Sequence, residues 1–194
     1  MHIQKFARAA SLGIIGVAVA LFAGVFSGSS PEASAGQGAV GHDLVVALRG
    51  TGDAFTKDIP TTDAGTTEAT CFTLDLVDLA TGDVIGDATD CLADIDPDAG
   101  GGMALTGTTF FNFPGGELVS RGRTTVQPIL DGSVDFTHIT GAVPQAGDNS
   151  VLSGTGRFNQ AEGTVRLSGA VNLAELDSDG KITFDCVFVI SLNN

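Results

Sequence analysis

Alternation of apolar and polar residues is the feature that most constrains this chain. From residue 69 onward, segments such as 103–113, 164–173 and 181–192 place apolar residues at every second position. Side chains at alternate positions point to opposite faces of a β-strand. No helical period of apolar residues follows the first 35 residues, so the sequence predicts an all-β protein.

Glycine-containing turns divide this patterned region into strands. Pro114-Gly115-Gly116, Asp131-Gly132 and the segment 177–180 are typical turn sequences. About eight strands result, and eight antiparallel strands joined by short turns close most economically into an up-and-down barrel. We therefore predict an eight-stranded antiparallel β-barrel, in which one face of each strand lines an interior filled by side chains or by one small ligand.

The first 35 residues have the pattern of a secretory signal. Lys5 and Arg8 precede an apolar run over residues 11–26, and Ala33-Ser34-Ala35 matches an A-x-A cleavage site. We predict an N-terminal signal helix that is cleaved after Ala35, and therefore a secreted or periplasmic protein. The alternative is an uncleaved anchor helix.

The rest of the chain has the length of one domain. Residues 36–68 are predicted to hold a first strand at 42–50 and then a long flexible loop at 51–68, because that stretch is polar and has no period. The remainder of the barrel is predicted to occupy residues 69–194.

The chain is strongly acidic, with 23 Asp and Glu residues against 9 Lys and Arg residues and a net charge of −14 at pH 7. Such a surface repels phosphate groups, so we predict no nucleic-acid partner and no binding to anionic lipid. No cofactor is predicted, because the sequence contains neither a phosphate-binding glycine loop nor a nucleophile elbow. No zinc site is predicted, because only two histidines and no C-x-x-C follow the signal.

An acidic segment at 93–102 has the spacing of a calcium loop, with Asp94, Asp96 and Asp98 at alternate positions. Ala99 and Leu105 stand where such a loop requires glycine and glutamate. We interpret the segment as a solvated acidic loop, with a calcium site as the alternative.

The three cysteines are predicted to have two different roles. Residues 69–92 read as a hairpin, and a tight turn centred near Thr81 places Cys71 opposite Cys91. Facing positions of an antiparallel pair are close enough to bridge, so a Cys71–Cys91 disulfide is predicted for an exported chain. Cys186 has the parity of the apolar residues in the last strand and is predicted to be buried and unreactive.

His138 is the one predicted catalytic residue. It shares one face of the predicted strand 133–141 with Phe136, so it is expected to point to the interior, where it is the general base if the protein is an enzyme. The alternative is a core histidine that bonds to a neighbouring strand. Phe136, Phe184 and Phe188 are predicted to line the interior and to contact a ligand.

Residues 151–163, VLSGTGRFNQAEG, form a glycine-rich passage ahead of the last two strands. They resemble the signature of the allene oxide cyclase and dirigent barrel superfamily, I/V-x-G-G-T-G-x-F/Y-x-x-A-x-G. Ser153 replaces the first glycine of that pattern, and FPGGEL at 113–118 is a second similar element. The matching residues of the signature are Gly154, Thr155, Gly156, Phe158, Ala161 and Gly163.

The resemblance covers residues 69–192. It implies an eight-stranded antiparallel barrel, a homo-oligomer (a trimer in plant members) and an apolar pocket for a small hydrophobic molecule. Three functions are compatible with it: a module that binds such a molecule in the barrel, a cyclase or isomerase that steers a reactive intermediate, and a structural or surface protein with a filled barrel. We take the ligand-binding module as the leading prediction, because of the barrel pattern, the 12 Phe residues and the small number of candidate catalytic residues. Fold alone does not decide among the three functions.

Overall fold

The computed structural model describes residues 43–61, 63–97, 102–128, 136–143 and 150–193. The predicted signal peptide, His42 and the Asp131-Gly132 turn lie outside these residues. The strands are β1 Asp43–Asp53, β2 Phe55–Pro60, β3 Thr66–Asp78, β4 Val84–Asp96, β5 Met103–Phe113, β6 Gly116–Pro128, β7 Phe136–Val143, β8 Val151–Gly154, β9 Glu162–Asn172 and β10 Lys181–Asn193. A 3₁₀ turn at Gly156–Phe158 and a single helical turn, α1 Leu176–Asp179, lie between strands.

All the strands belong to one antiparallel sheet. Their order is β1-β10-β9-β7-β6-β5-β4-β3-β2, and β8 pairs with β6 beside this path. β1 also pairs with β3, from Val46 opposite Asp78 to Arg49 opposite Asp75. The prediction of an all-β antiparallel protein is confirmed.

Short turns set the order of the sheet, because strands joined by a few residues pair with each other. β5 and β6 meet at Pro114-Gly115, where Gly115 has φ of 90°, a conformation that glycine adopts without strain. In the turn between β3 and β4, the amide of Gly82 donates to the carbonyl of Asp78 at 2.7 Å. These two hairpins are the ones that the sequence predicted most directly.

The prediction of a long flexible loop at 51–68 is wrong. β1 continues to Asp53, and β2 pairs with β3 from Phe55 opposite Cys71 to Pro60 opposite Thr66. The stretch looks like a loop because β2 exposes three of its six residues and buries only Ile59 fully. A strand with a single buried residue gives no apolar period.

Most buried apolar residues lie on one face of the sheet, which we call the core face. On β10 this face carries residues at every second position, namely Ile182, Phe184, Cys186, Phe188 and Ile190. Burying one Phe or Ile side chain stabilises a fold by about 1.5–3 kcal/mol. The core face is therefore the main source of stability.

A smaller apolar cluster lies on the opposite face, under β2. We call it the outer cluster; it comprises Ile59, Ala69, Cys71, Cys91 and Ala93, with Phe110 packed against it. Adjacent residues of a strand face opposite ways, which explains why Cys71 belongs to this cluster while Phe72 belongs to the core face. β2 therefore covers part of the outer surface of β3, β4 and β5.

Candidate functional site

One end of the core face contains a pocket with a wholly apolar lining. It lies where β4, β6 and β9 end and where β5, β7 and β10 begin, and its volume is about 80 Å³. Its lining residues are Leu92, Ile95, Met103, Leu105, Val126, Ile139, Val171, Leu173, Leu176, Ile182 and Phe184. Alternation along each strand brings these side chains together, and Leu176 of α1 joins them from the β9–β10 connection.

A groove of about 280 Å³ adjoins this pocket. Met103, Val126 and Leu173 line both the pocket and the groove. Pro97, Gly102, Gln127, Pro128 and Thr137 complete the lining of the groove. The pocket and the groove thus form one apolar surface centred on Met103.

The other end of the core face is filled by aromatic rings. The ring of Phe111 lies edge-on to that of Phe188 with centroids 5.2 Å apart, and Phe113 lies 5.9 Å from Phe111 and 5.1 Å from Phe158. Phe188 is buried among these rings, whereas Phe184 lines the pocket. Of the two predicted ligand contacts whose side chains are described, Phe184 thus lines this pocket and Phe188 does not.

Three buried polar residues lie side by side on the core face, and we call them the polar row. Asp90 of β4 is paired with Thr109 of β5, which is paired in turn with Ser120 of β6. Thr109 Oγ1 donates a hydrogen bond of 2.7 Å to Asp90 Oδ1. The three residues are 3%, 4% and 2% exposed, so water has little access to them.

Burial changes the acidity of Asp90. Removal from water raises the pKa of this carboxyl from 3.8 to about 6, and the hydrogen bond from Thr109 opposes the rise. Carboxyl groups that titrate near neutral pH in an apolar setting are concentrated at functional sites. Among the described residues, Thr109 is the only hydrogen-bond donor to Asp90.

Cys186 faces the same interior as Asp90. Burial raises the pKa of its thiol to about 12, and the charge of Asp90 adds to the rise. The thiol donates to the carbonyl of Ala170 at 3.6 Å, and it fits there because a side chain at Gly169 would lie only 2.9 Å from the sulfur. The structure confirms that Cys186 is buried and outside any disulfide.

Asp90 is the residue that the sequence interpretation missed. The signal for it was present: the register of the Cys71–Cys91 hairpin sets Phe72 opposite Asp90, and so assigns Asp90 to the apolar face. Ala88 and Leu92, at the same parity, are apolar residues of that face. A carboxyl at a core-face position between two apolar residues indicates a candidate functional residue.

His138 lies in β7, with its backbone paired to Gln127 of β6 and Ala170 of β9. The side chains of His138 and Phe136 lie outside the described residues. The assignments of His138 as an acid or base and of Phe136 as a ligand contact therefore stay predictions.

The glycine-rich passage has a structural role in the fold. Thr155 Oγ1 accepts a hydrogen bond of 3.0 Å from the amide of Glu117, and Phe158 is buried in the core. Gly156 has φ of 56°, and a Cβ atom there would collide with the carbonyl oxygen of Gly115. The passage packs against the β5–β6 turn, which explains why the two similar sequence elements occur together.

The acidic segment begins within β4, so Asp94 and Asp96 belong to a strand and not to a loop, and an ion pair holds Asp94. Asp94 Oδ2 accepts from Arg121 Nη2 at 3.3 Å, and Arg121 Nη1 also donates to Thr108 Oγ1 at 2.9 Å and to the carbonyl of Pro60 at 3.3 Å. Asp98 lies outside the described residues. Across the ranges that the structure describes, no group of three His, Cys, Asp or Glu residues is placed to hold a metal ion.

The Cys71–Cys91 disulfide is confirmed, and its two residues are directly opposite each other on β3 and β4. A disulfide fits an oxidising extracellular or periplasmic environment. None of the helices in the described part of the chain has the length and apolar character of a membrane span.

Fold and site together define a class of protein: a disulfide-bonded, antiparallel all-β chain with an apolar pocket and a buried acid on one face of its sheet. No family model matches the chain, and the search of curated proteins finds no significant relative.

Proposed function

We propose that this protein is an exported β-barrel that binds a small hydrophobic molecule at one end of its interior. The observation that carries the proposal is the pocket, whose eleven lining side chains are all apolar. Sites for small molecules are mostly apolar concave surfaces of this kind. The signal pattern in residues 1–35 and the resemblance of residues 151–163 to the allene oxide cyclase and dirigent superfamily are consistent with this function.

Closure of the sheet is part of the proposal. Eight strands lie on the path from β1 through β10 to β3, and the β1–β3 pairing supports a return of that path to its starting strand. A closed sheet has no exposed edge, and its inner face encloses a space that only ligands or side chains fill. β2 and β8 lie outside this ring of strands.

The size of the cavity limits the ligand. An apolar cavity of about 150 Å³ accepts benzene, so the pocket of about 80 Å³ holds only part of such a molecule. The adjoining groove of about 280 Å³ provides space for the rest. A short aliphatic chain or a single substituted ring is therefore the size of ligand that fits best.

The other two candidate functions receive less support. A barrel filled by its own side chains agrees with the aromatic end of the core face, where Phe111, Phe113 and Phe188 pack together. It does not agree with the end that contains the pocket. A cyclase requires an acid or base against its reacting atoms, and no side chain in the lining of the pocket is one. The buried Asp90 lies one core-face step farther along β4. Binding is thus the function that the geometry of the pocket favours.

The test is saturable binding of xenon, followed by NMR of the labelled methyl groups of Leu, Ile and Val. We expect shifts at Leu105, Ile139 and Val171, which line the pocket, and none at Val165 and Ile190 at the other end of the core face. Xenon enters dry apolar cavities without requiring a specific polar partner.

A matched pair of variants provides the control. Leu173 and Leu192 are both half-buried and packed against the core, but only Leu173 lines the pocket and groove. Leu173→Phe should abolish the xenon shifts and Leu192→Phe should preserve them. Equal shifts at both ends, or shifts that Leu173→Phe leaves unchanged, refute the proposal.

A further inference from the structure

The polar row is costly to keep in a protein core. A carboxyl taken out of water loses several kcal/mol of solvation unless its oxygens receive hydrogen bonds. Asp90 receives one from Thr109, at Oδ1, and no described residue donates to Oδ2. Asp90 therefore has an acceptor position to offer to a ligand.

The polar row lies one core-face step along β4 from the pocket, whose lining does not itself include Asp90, Thr109 or Ser120. Asp90 and Leu92 are successive core-face residues of β4, about 7 Å apart along the strand, and Leu92 lines the pocket. Phe72, directly opposite Asp90, has its ring 6.2 Å from that of Phe184, another lining residue. A molecule in the pocket must extend about 7 Å farther along β4 to reach the Asp90 carboxyl.

We propose that Asp90, with Thr109 and Ser120 beside it, is the polar anchor of the pocket and accepts a hydrogen bond from the hydroxyl group of a small aliphatic or monocyclic alcohol. This inference rests on the proposed function and names the chemical class of its ligand. The hydroxyl lies against Asp90 Oδ2, and the apolar part of the alcohol occupies the pocket and the groove.

Charge and solvation select an alcohol among the molecules that could donate to Asp90. A carboxylate ligand would be repelled by Asp90 and by a chain whose net charge is −14. An ammonium ion would lose more solvation than a hydroxyl on entering a pocket with an apolar lining. A hydroxyl is neutral, carries one hydrogen-bond donor and loses the least solvation free energy on entering the pocket.

The experiment compares two probes of equal size, 1-hexanol and methyl pentyl ether, by NMR titration of the wild-type protein. Both have the same number of heavy atoms, but only hexanol has a hydrogen-bond donor. We expect hexanol to bind about tenfold more tightly, as one hydrogen bond to a charged group allows. The ¹³Cγ resonance of Asp90 should shift with hexanol and stay unchanged with the ether.

Two variants and pH give independent checks. Asp90→Leu should reduce the preference for hexanol to about one, while Thr109→Val, which removes the hydrogen bond to Oδ1 but keeps Asp90, should retain a preference. In the wild type, the preference should grow from pH 5 to pH 7.5 as Asp90 loses its proton. Within the described part of the chain, Cys186 of β10 is the other titratable group that faces Asp90; its pKa of about 12 keeps it neutral over that range.

The outcomes separate this inference from the proposed function. If both probes bind the wild type equally and the Asp90 resonance is unchanged, the proposed pocket is retained and the proposed role of Asp90 as its anchor is refuted. A preference for hexanol that Asp90→Leu retains also refutes the anchor. Binding of neither probe, together with no binding of xenon, refutes the pocket and the anchor together.

Discussion

Asp90 makes the stability of this protein fall as pH rises. Its pKa is about 6 in the folded chain against an ordinary value of 3.8, so between these values the folded chain keeps a proton that the unfolded chain releases. Folding is favoured while that proton is held, and the contribution is lost as pH rises through 6. A shift of this size corresponds to about 3 kcal/mol. We predict that the stability of Asp90→Asn relative to the wild type increases by that amount from pH 3.5 to pH 8.

Urea unfolding of both proteins across this pH range measures the difference. Asp75→Asn is the control, because it removes an exposed carboxyl from the opposite face of β3. The comparison with the wild type cancels the titration of all the carboxyls that the two proteins share. A difference between Asp90→Asn and the wild type that does not change with pH contradicts the assignment of Asp90 as a buried acid.

Cys186 is predicted to be inert in the folded protein. Its thiol has a pKa of about 12 against an ordinary value of 9.0, and only the thiolate attacks alkylating reagents. We expect iodoacetamide at pH 8 to label the native protein at least roughly a thousandfold more slowly than the unfolded chain. Mass spectrometry should find one modified cysteine after unfolding without reductant, at Cys186. Rapid labelling of the native protein would show that the thiol is accessible.

At the scale of elements, β2 holds the outer cluster in place. Ile59 is fully buried against Cys71 and Cys91, while Lys57 Nζ lies 3.6 Å from the centre of the Phe110 ring. We predict that Ile59→Ala lowers the free energy of unfolding by about 2–4 kcal/mol through the lost burial and the cavity it leaves. The same change should speed reduction of the disulfide by dithiothreitol, because Ile59 covers it.

Thr56→Ala is the matched control for that prediction, since Thr56 belongs to β2 but is exposed. It should change neither the stability nor the reduction rate appreciably. If Ile59→Ala destabilises the protein but leaves the reduction rate unchanged, β2 does not shield the disulfide. Chemical denaturation and timed alkylation of the released thiols are the two measurements.

The sequence predicts elements well where pattern and turn agree, and poorly where only one of them is present. The β3–β4 hairpin was predictable to the register of Cys71 and Cys91, because the alternation of apolar residues and the turn near Thr81 both indicate that pairing. β2 has one buried side chain and hence no period. The pocket was not predictable, since it depends on which core-face side chains of six strands leave space between them.

At the scale of the whole molecule, the net charge and the proposed closure of the sheet act in the same direction. A chain of net charge −14 repels other copies of itself, which opposes association through exposed strand edges. The proposed closure through β1 and β3 leaves no long free edge among the eight strands of the ring. Among the described strands, β2 and the four-residue β8 then pair on one side only. In the proposed closed barrel, closure and acidity therefore both limit association through strand edges.

Amide hydrogen exchange tests closure directly. If β1 is paired on both sides, the amides of Val46, Ala47, Leu48 and Arg49 should all exchange slowly, because alternate residues bond to β10 and to β3. In an open sheet, every second amide in this segment would face water and exchange fast. β2 provides the internal reference, since only its β3-facing amides are expected to be protected. Fast exchange at alternate residues of β1, matching the pattern of β2, would exclude the closed barrel and with it the enclosed ligand site.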